Sequence, residues 1–224
     1  MIFLLSLLSA CCMISILEDA AALGIHVAYA TADVKVESRS DEMDEYSREL
    51  IRSARIDEEI IKAYRSFYWR IGIDPTKTRP SNEAMLRRVL KRGEFPKINN
   101  VVDAINMASF ATLIPIGLYD LDKLSPPILV RLAREGEVFH PIGGGVIKLR
   151  GGEPVVSDSK VIMFLYPYRD SDMTKVDENT KRVLVLGAGV EGVEIPAIRR
   201  AVNMAIELLE RFCNGKRTSD TLVV

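Results

Sequence analysis

Histidine and cysteine are scarce in this chain of 224 residues: two of the first, His26 and His140, and three of the second, Cys11, Cys12 and Cys213. No Cys-x-x-Cys occurs, so neither a zinc knuckle nor a disulfide framework fits. No metal and no cofactor are expected, and a reducing, cytoplasmic setting is the simple reading. A Ser-His-Asp or Cys-His constellation for nucleophilic catalysis is also missing. Charge of one sign is lacking too. Thirty Lys and Arg against 31 Asp and Glu leave a net charge of -1, which argues against holding DNA or RNA through an overall field but leaves room for a local basic patch. The apolar run at residues 1–17 is too short to cross a bilayer and has no Lys or Arg ahead of it, as a secretory signal would. Leu8-Ser9-Ala10-Cys11 has the look of a lipoprotein cleavage box, but the run before it is short and uncharged. The preferred reading makes residues 1–12 an upstream extension ahead of a start at Met13, with a buried first strand as the alternative. No membrane partner is expected.

What is present is enough apolar matter for a sizeable core, 48% of residues against 27% charged, in one domain or two closely packed lobes. The chain turns on residues 98–137. Val102, Ile105, Met107, Phe110, Leu113 and Ile114 recur mostly at three- and four-residue steps and predict an amphipathic helix. Asp103 and Asn106, one turn apart, lie at the border of its apolar face. Pro115 ends the helix, Gly117 lets the chain bend, and Leu118, Tyr119 and Leu121 begin a strand that carries Asp120. A helix and a strand thus meet at a polar corner.

Ahead of that corner, residues 14–36 read as one or two strands of an edge hairpin. His26 within them is better explained as a packed core residue than as a ligand. Residues 40–70 predict one long helix, or two joined near Arg55, with acids after Ser40 complementing the helix dipole. Tyr64, Phe67, Tyr68 and Trp69 could stack on RNA but fit a buried stripe better. Ser81 is expected to cap a helix that carries Arg87, Arg88, Lys91 and Arg92, with Lys77, Arg79 and Lys97 nearby. This most basic surface is either a phosphate track or a solvated helix face.

Behind the corner, Ile128–Leu132 predicts a strand bearing Arg131. The glycines of residues 141–152 lack the Lys-Ser or Lys-Thr of a nucleotide loop and read as hairpin turns. Residues 154–158 and 160–166 predict paired strands. The loop that follows holds Arg169, Asp170 and Asp172: either a fork and two carboxylates for a ligand, or a surface loop with internal salt bridges. Gly187, Gly189 and Gly192 match G-x-G-x-x-G between a strand and a helix at 195–212. A dinucleotide fold needs a further parallel strand ending in an acid, for which no chain is left, so a glycine-rich connection is expected. Residues 216–224 are expected as a loose tail.

Read together, PSNEAMLRRV at 80–89, NNVVDAINMAS at 99–109, PIGLYDLDKL at 115–124, LVRLAREGE at 129–137 and VVSD at 155–158 resemble the B3/B4 domain. That is the tRNA-binding and editing domain of the phenylalanyl-tRNA synthetase beta subunit, here as a free-standing protein of one such domain over residues 13–215. The resemblance implies an α+β fold in which mixed strands form a barrel-like sandwich flanked by helices. The helical part would run over about 40–114 and the strand-rich part over about 115–192. It also implies tRNA or aminoacyl-tRNA as a partner, with a synthetase as another, and a pocket that hydrolyses mischarged tyrosine.

Several family residues are replaced. The bacterial pattern's threonine is Ile105 here, its pocket histidine falls on Gly117, its tyrosine-reading glutamate on Leu186, and its paired glycines near Asp170 and Ser171. Leucine offers no acceptor for a phenol, so a different, more polar aminoacyl ester is the expected substrate. Asn106 would orient water or carbonyl, Arg169 the ester oxygen or terminal phosphate, and Asp170 or Asp172 the ammonium. Asp103, Asp120 and Arg131 complete the expected pocket, and Arg87, Arg88, Lys91 and Arg92 the RNA surface. The alternative is a binding module for tRNA, a synthetase or an amino-acid-like ligand without chemistry.

Overall fold

A computed structural model describes residues 13–224. The upstream extension, Cys11 and Cys12 lie outside them. The polypeptide is built around two layers of strand, one mixed and one wholly antiparallel, that share a main buried core with helices on the outside.

The chain begins with β1 (Ile14–Ile16), a short α1 (Glu18–Ala21) and β2 (His26–Asp33). Strand β2 is buried along nearly its whole length because both of its faces are covered. Its run HVAYATA is accordingly almost continuous in apolar and small residues rather than alternating. This corrects the expected edge hairpin: β1 pairs in parallel with a strand of one sheet, while β2 lies inside the other.

Helices α2 (Asp41–Arg52) and α3 (Glu58–Arg70) follow as two helices, not one. Ser40 accepts from the Met43 N–H to start the first, and Asp57 accepts from Glu59 and Ile60 to start the second. Tyr64, Phe67 and Tyr68 are buried, whereas Trp69 is 60% exposed, so the aromatic stripe is core except at its last member. Helix α4 (Ser81–Arg92) is capped by Pro80 rather than Ser81, whose hydroxyl reaches the Pro167 carbonyl at 3.1 Å. Helix α5 (Asn100–Thr112) starts where the Asn99 side chain accepts from the Val102 N–H at 2.9 Å. It ends at Leu113, whose left-handed φ of 57° turns the chain into Pro115.

Next come β3 (Ile116–Asp120), β4 (Ile128–Leu132), the small β5 (Val138–Phe139) and β6 (Ile147–Lys148), then β7 (Pro154–Ser157), β8 (Ile162–Leu165) and β9 (Arg169–Asp170). The long β10 (Arg182–Gly189) and α6 (Ile195–Phe212) lead to β11 (Lys216–Arg217) and β12 (Leu222–Val223). One sheet has the order β1-β4-β7-β8-β9 and the other β11-β2-β10-β3, with β12 also on β2 and β5-β6 a separate ribbon. Parallel and antiparallel pairs both occur, as expected of the α+β reading. The two sheets end in open edges at β9 and β3, so the described residues form no closed barrel.

Helices α5 and α6 pack together, α6 against β2 and β10 and α5 against β3. A Cβ added at Gly187 would sit 2.9 Å from both Ile198 Cγ2 and Val202 Cγ2 of α6. Gly187 and Gly189 of the fingerprint therefore lie inside β10, where they let a helix lie close on the strand, and Gly192 sits in the turn beyond it. His26 is a packed residue too, with Nε2 2.9 Å from the Val193 carbonyl and Nδ1 3.2 Å from that of Gly24.

The last nine residues are not a loose tail. Both β11 and β12 pair with β2, and Val27 and Val224 exchange two backbone hydrogen bonds at 2.8 and 3.0 Å. Among the described residues no helix is long and apolar enough to cross a membrane.

Candidate functional site

The open edges of the two sheets, β3 and β9, lie beside each other under α5, and the space between them is a cavity of about 180 Å³. Strand alternation decides what faces it. Ile116 and Leu118 point from β3 toward α5, while Gly117 and Tyr119 point the other way, between the sheets. Val102, Ile105 and Asn106 supply the wall from α5, and Ile98 the rim ahead of it. The opposite wall is Asp170 at the end of β9, with Lys175, Val176 and Ile142. Ile142 is brought there by the glycine loop: Gly143, Gly144 and Gly145 all have φ near +90°, a region closed to most side chains. The Ile142 N–H then donates to the Asp170 carbonyl at 3.0 Å, and Asp172 N–H to that of His140 at 2.8 Å.

Asn106 and Asp170 thus converge on one hollow from distant parts of the chain. The Asn106 amide makes no hydrogen bond within the described residues, leaving donor and acceptor free for a ligand. Asp170 Oδ1 and the Tyr119 hydroxyl are both buried with no partner in good hydrogen-bond geometry, yet the hydroxyl lies close enough to act on the carboxyl as a donor. Burial pushes the Asp170 carboxyl up from 3.8 to about 7, with the Tyr119 hydroxyl opposing the rise. A carboxyl of that kind is divided between acid and base near neutrality. Beside it Lys175 is the one cation in the wall, held by Asp172 at 2.7 Å.

The other expected residues lie elsewhere. Arg169 projects outward and stacks over the Tyr168 ring, 5.1 Å from its centroid, because adjacent residues of a strand face opposite ways and Asp170 takes the inward position. Asp172 does not line the cavity; it acts through Lys175. Asp103 is fully buried beneath the start of α5, where it accepts from the Ile98 N–H at 3.1 Å and lies 3.6 Å from Arg39 Nη1. Asp120 accepts from Thr180 Oγ1 at 2.7 Å and from the Asp122 N–H at 3.0 Å, capping a turn. Arg131 is spent on Glu137, with two bonds of 2.8 and 2.9 Å, and on Ser157 Oγ at 2.9 Å.

On α4, Arg87 donates to Glu83 at 2.8 Å, while Arg88, Lys91 and Arg92 are exposed and free of ion pairs among the described residues. Lys175 was passed over in the sequence because a lysine in a charged loop looks like any solvated one. Ile116 and Leu118 were passed over because alternation does not say which face of an edge strand will be hollow.

The space between the sheets is filled. Gly117 and Leu186 are register partners across β3 and β10, both buried. A Cβ at Gly117 would collide with the Tyr119 hydroxyl, and the Tyr119 ring packs against Phe164, which packs against Tyr166. Among the described residues no three His, Cys, Asp or Glu side chains gather as a metal site would require.

Residues 63–223 match the B3/4 domain family. The chain is similar to the phenylalanine–tRNA ligase beta subunit of Carboxydothermus hydrogenoformans, 32% identical over 146 residues, which is 65% of this chain and 18% of that one. It is similar to the same subunit of Staphylococcus aureus strain USA300, 29% identical over 191 residues, 85% of this chain and 23% of that one. The chain thus spans about a fifth of the length of these relatives. Among solved structures it resembles an N-terminal fragment of the phenylalanyl-tRNA synthetase beta subunit from Pyrococcus horikoshii. There the TM-score is 0.52 and the identity 16%, over 94% of this chain and 53% of that one, a likeness of fold.

Proposed function

The chain belongs to the B3/4 domain family, and from that premise we propose that it acts on aminoacyl-tRNA, hydrolysing in trans the ester of a mischarged amino acid other than tyrosine. The observation that carries this reading is the meeting of Asn106 with an unpartnered Asp170 in a cavity walled by aliphatic side chains. At about 180 Å³ the cavity is below the roughly 300–1,000 Å³ of sites for drug-sized ligands. Its apolar walls favour a small aliphatic side chain, which revises the expectation of a polar substrate.

In this mechanism Asp170 takes a proton from water as the water oxygen bonds to the ester carbonyl carbon. The Asn106 amide donates to the carbonyl oxygen, and Lys175 balances its developing charge, the role that Arg169 is turned away from. Collapse breaks the bond to the ribose oxygen, which recovers the proton from Asp170, leaving a free amino acid and a free ribose hydroxyl. No protein nucleophile is needed, since the ester is already activated and positioning supplies much of the rate.

The test is release of amino acid from a panel of mischarged tRNAs. Release from one or more of them, lost in Asp170→Asn, supports the reading; no release above buffer for any member overturns it. The cytoplasm is where such a substrate would be met.

A second reading, tRNA binding without chemistry, is favoured by the unpaired Arg88, Lys91 and Arg92 on α4. It predicts binding that weakens steeply with salt, unaccompanied by turnover, and lost when these three cations are removed.

A further inference from the structure

At the N-terminal end of α4 a second concavity of about 290 Å³ is walled by Lys77, Thr78, Arg79, Ala84, Arg87 and Tyr168. Its charge is unbalanced. Glu83, 3% exposed, is the carboxylate beneath it and takes two bonds from Arg65 at 2.7 and 2.8 Å and one from Arg87 at 2.8 Å, with Arg79 at 3.9 Å. One negative charge thus faces three guanidinium groups. Lys77 adds a fourth cation, 84% exposed and only 3.9 Å from Asp74, whose carboxylate also accepts from Thr76.

A cluster that existed only to hold Glu83 would need one arginine, and Arg65 already grips it with both ends of its fork. Arg87 is left anchored at Nε with donors to spare, and Arg79, 3.9 Å away, has its whole fork free among the described residues. Anchoring of Arg87 also lowers the entropic cost of capturing an anion, because its fork is held before the anion arrives.

The wall opposite these cations is an aromatic ring. Tyr168 is half-buried and covered on one side by the Arg169 guanidinium, which adds positive charge to a surface suited to stacking. Cations beside a ring are what a nucleotide requires, phosphate on one and base on the other. A duplex hides its base faces and could use only the cations.

We infer that this concavity is a binding site for one nucleotide of single-stranded RNA, its phosphate held by Lys77, Arg79 and Arg87 and its base stacked on Tyr168. The inference rests on the tRNA-directed reading for its choice of polymer. One residue separates Tyr168 from Asp170, so the backbones of these two wall residues lie within roughly 7 Å of each other. An RNA end seated on Tyr168 therefore lies beside the cavity where the ester would be cut.

The experiment measures binding of a short single-stranded RNA oligonucleotide without any aminoacyl group, across a range of salt, with duplex RNA, AMP and inorganic phosphate as competitors. Tyr168→Leu is expected to weaken single-strand binding about tenfold. Arg79→Gln is expected to weaken it and to reduce the slope of log affinity against log salt by about 1. AMP is expected to compete better than inorganic phosphate. Lys77→Ala, at a highly exposed position, gives the same reading without risk to the fold. Equal affinity for duplex and single strand, phosphate competing as well as AMP, or unchanged binding in both Tyr168→Leu and Arg79→Gln overturns the inference. Because the oligonucleotide carries no ester, failure to hydrolyse mischarged tRNA leaves this result standing. Conversely, release of amino acid from a small aminoacyl ester would support the hydrolytic cavity even if this site failed.

Discussion

Asp170 is a carboxyl that the fold would hold more easily without its charge, and Asp170→Asn measures by how much. The wild-type group is raised from 3.8 to about 7 because burial disfavours its charge, a rise that the Tyr119 hydroxyl opposes without cancelling. Below pH 4 the acid is protonated whether the chain is folded or not, so it has no effect on stability there. Between pH 4 and 7 the unfolded chain gives up its proton while the folded chain keeps it, and stability falls as pH rises; above the folded value the loss is complete. The full difference is about 4 kcal/mol, and the partial exposure of the residue brings the expected loss to about 2–4 kcal/mol. Asparagine copies the neutral acid and has no proton to lose. At pH 8 the variant is expected to melt roughly 5–15 °C above wild type, with the gap closing toward pH 4, while ester hydrolysis is lost. Thermal melts of both proteins across pH 4–8 decide the matter. Parallel curves, or a variant less stable at pH 8, would refute the claim that this carboxylate is buried uncompensated, and with it the role of Asp170 as a base.

Three further outcomes follow from the packing. Gly187→Ala drives a methyl to 2.9 Å from Ile198 and Val202 and should cost about 1–3 kcal/mol in chemical denaturation, while NAD added to wild type should not move its melting temperature. Gly117→Ala meets the Tyr119 hydroxyl inside the core and should cost a similar 1–3 kcal/mol, of which pairing it with Tyr119→Phe should recover a part in a double-mutant cycle. Deleting residues 216–224 removes β11 and β12 from β2 and uncovers part of its length. The truncated chain is expected to melt lower and to exchange the Val27 and Tyr29 amides faster than the full chain.

The sequence made some of this legible and not the rest, for physical reasons. Residues 100–112 announce their helix because a buried face repeats every three or four positions, and Ser40 has a short polar side chain where the first turn needs an acceptor. Strand β2 was misplaced because a strand covered on both sides loses the alternation that marks an edge. The tail departs from the expected loose end because two-residue strands carry almost no pattern of their own; what holds them is the open flank of β2, distant in the chain. Asn106 and Asp170 are brought to one hollow, on the face of β3 opposite the one where Gly117 lies. Asp103 and Asp120 are not, since a carboxylate that caps a turn or takes a backbone N–H looks, in one dimension, like one that awaits a ligand. Arg169 shows the finest limit. Whether it or Asp170 turns inward depends on a single step of strand register.

The tyrosine ring laid across Gly117 also binds the histories of two positions. A lineage that acquired a large residue at 117 while keeping the ring's hydroxyl would crowd its own interior, and one that first lost the hydroxyl would open a small void. Neither intermediate is comfortable, so the two sites should change as a pair or in a fixed order, ring before glycine. Among relatives, the hydroxyl of a tyrosine at the place of Tyr119 should travel with glycine at the place of Gly117, and chains carrying the family's histidine at the second should be found with a ring that lacks it.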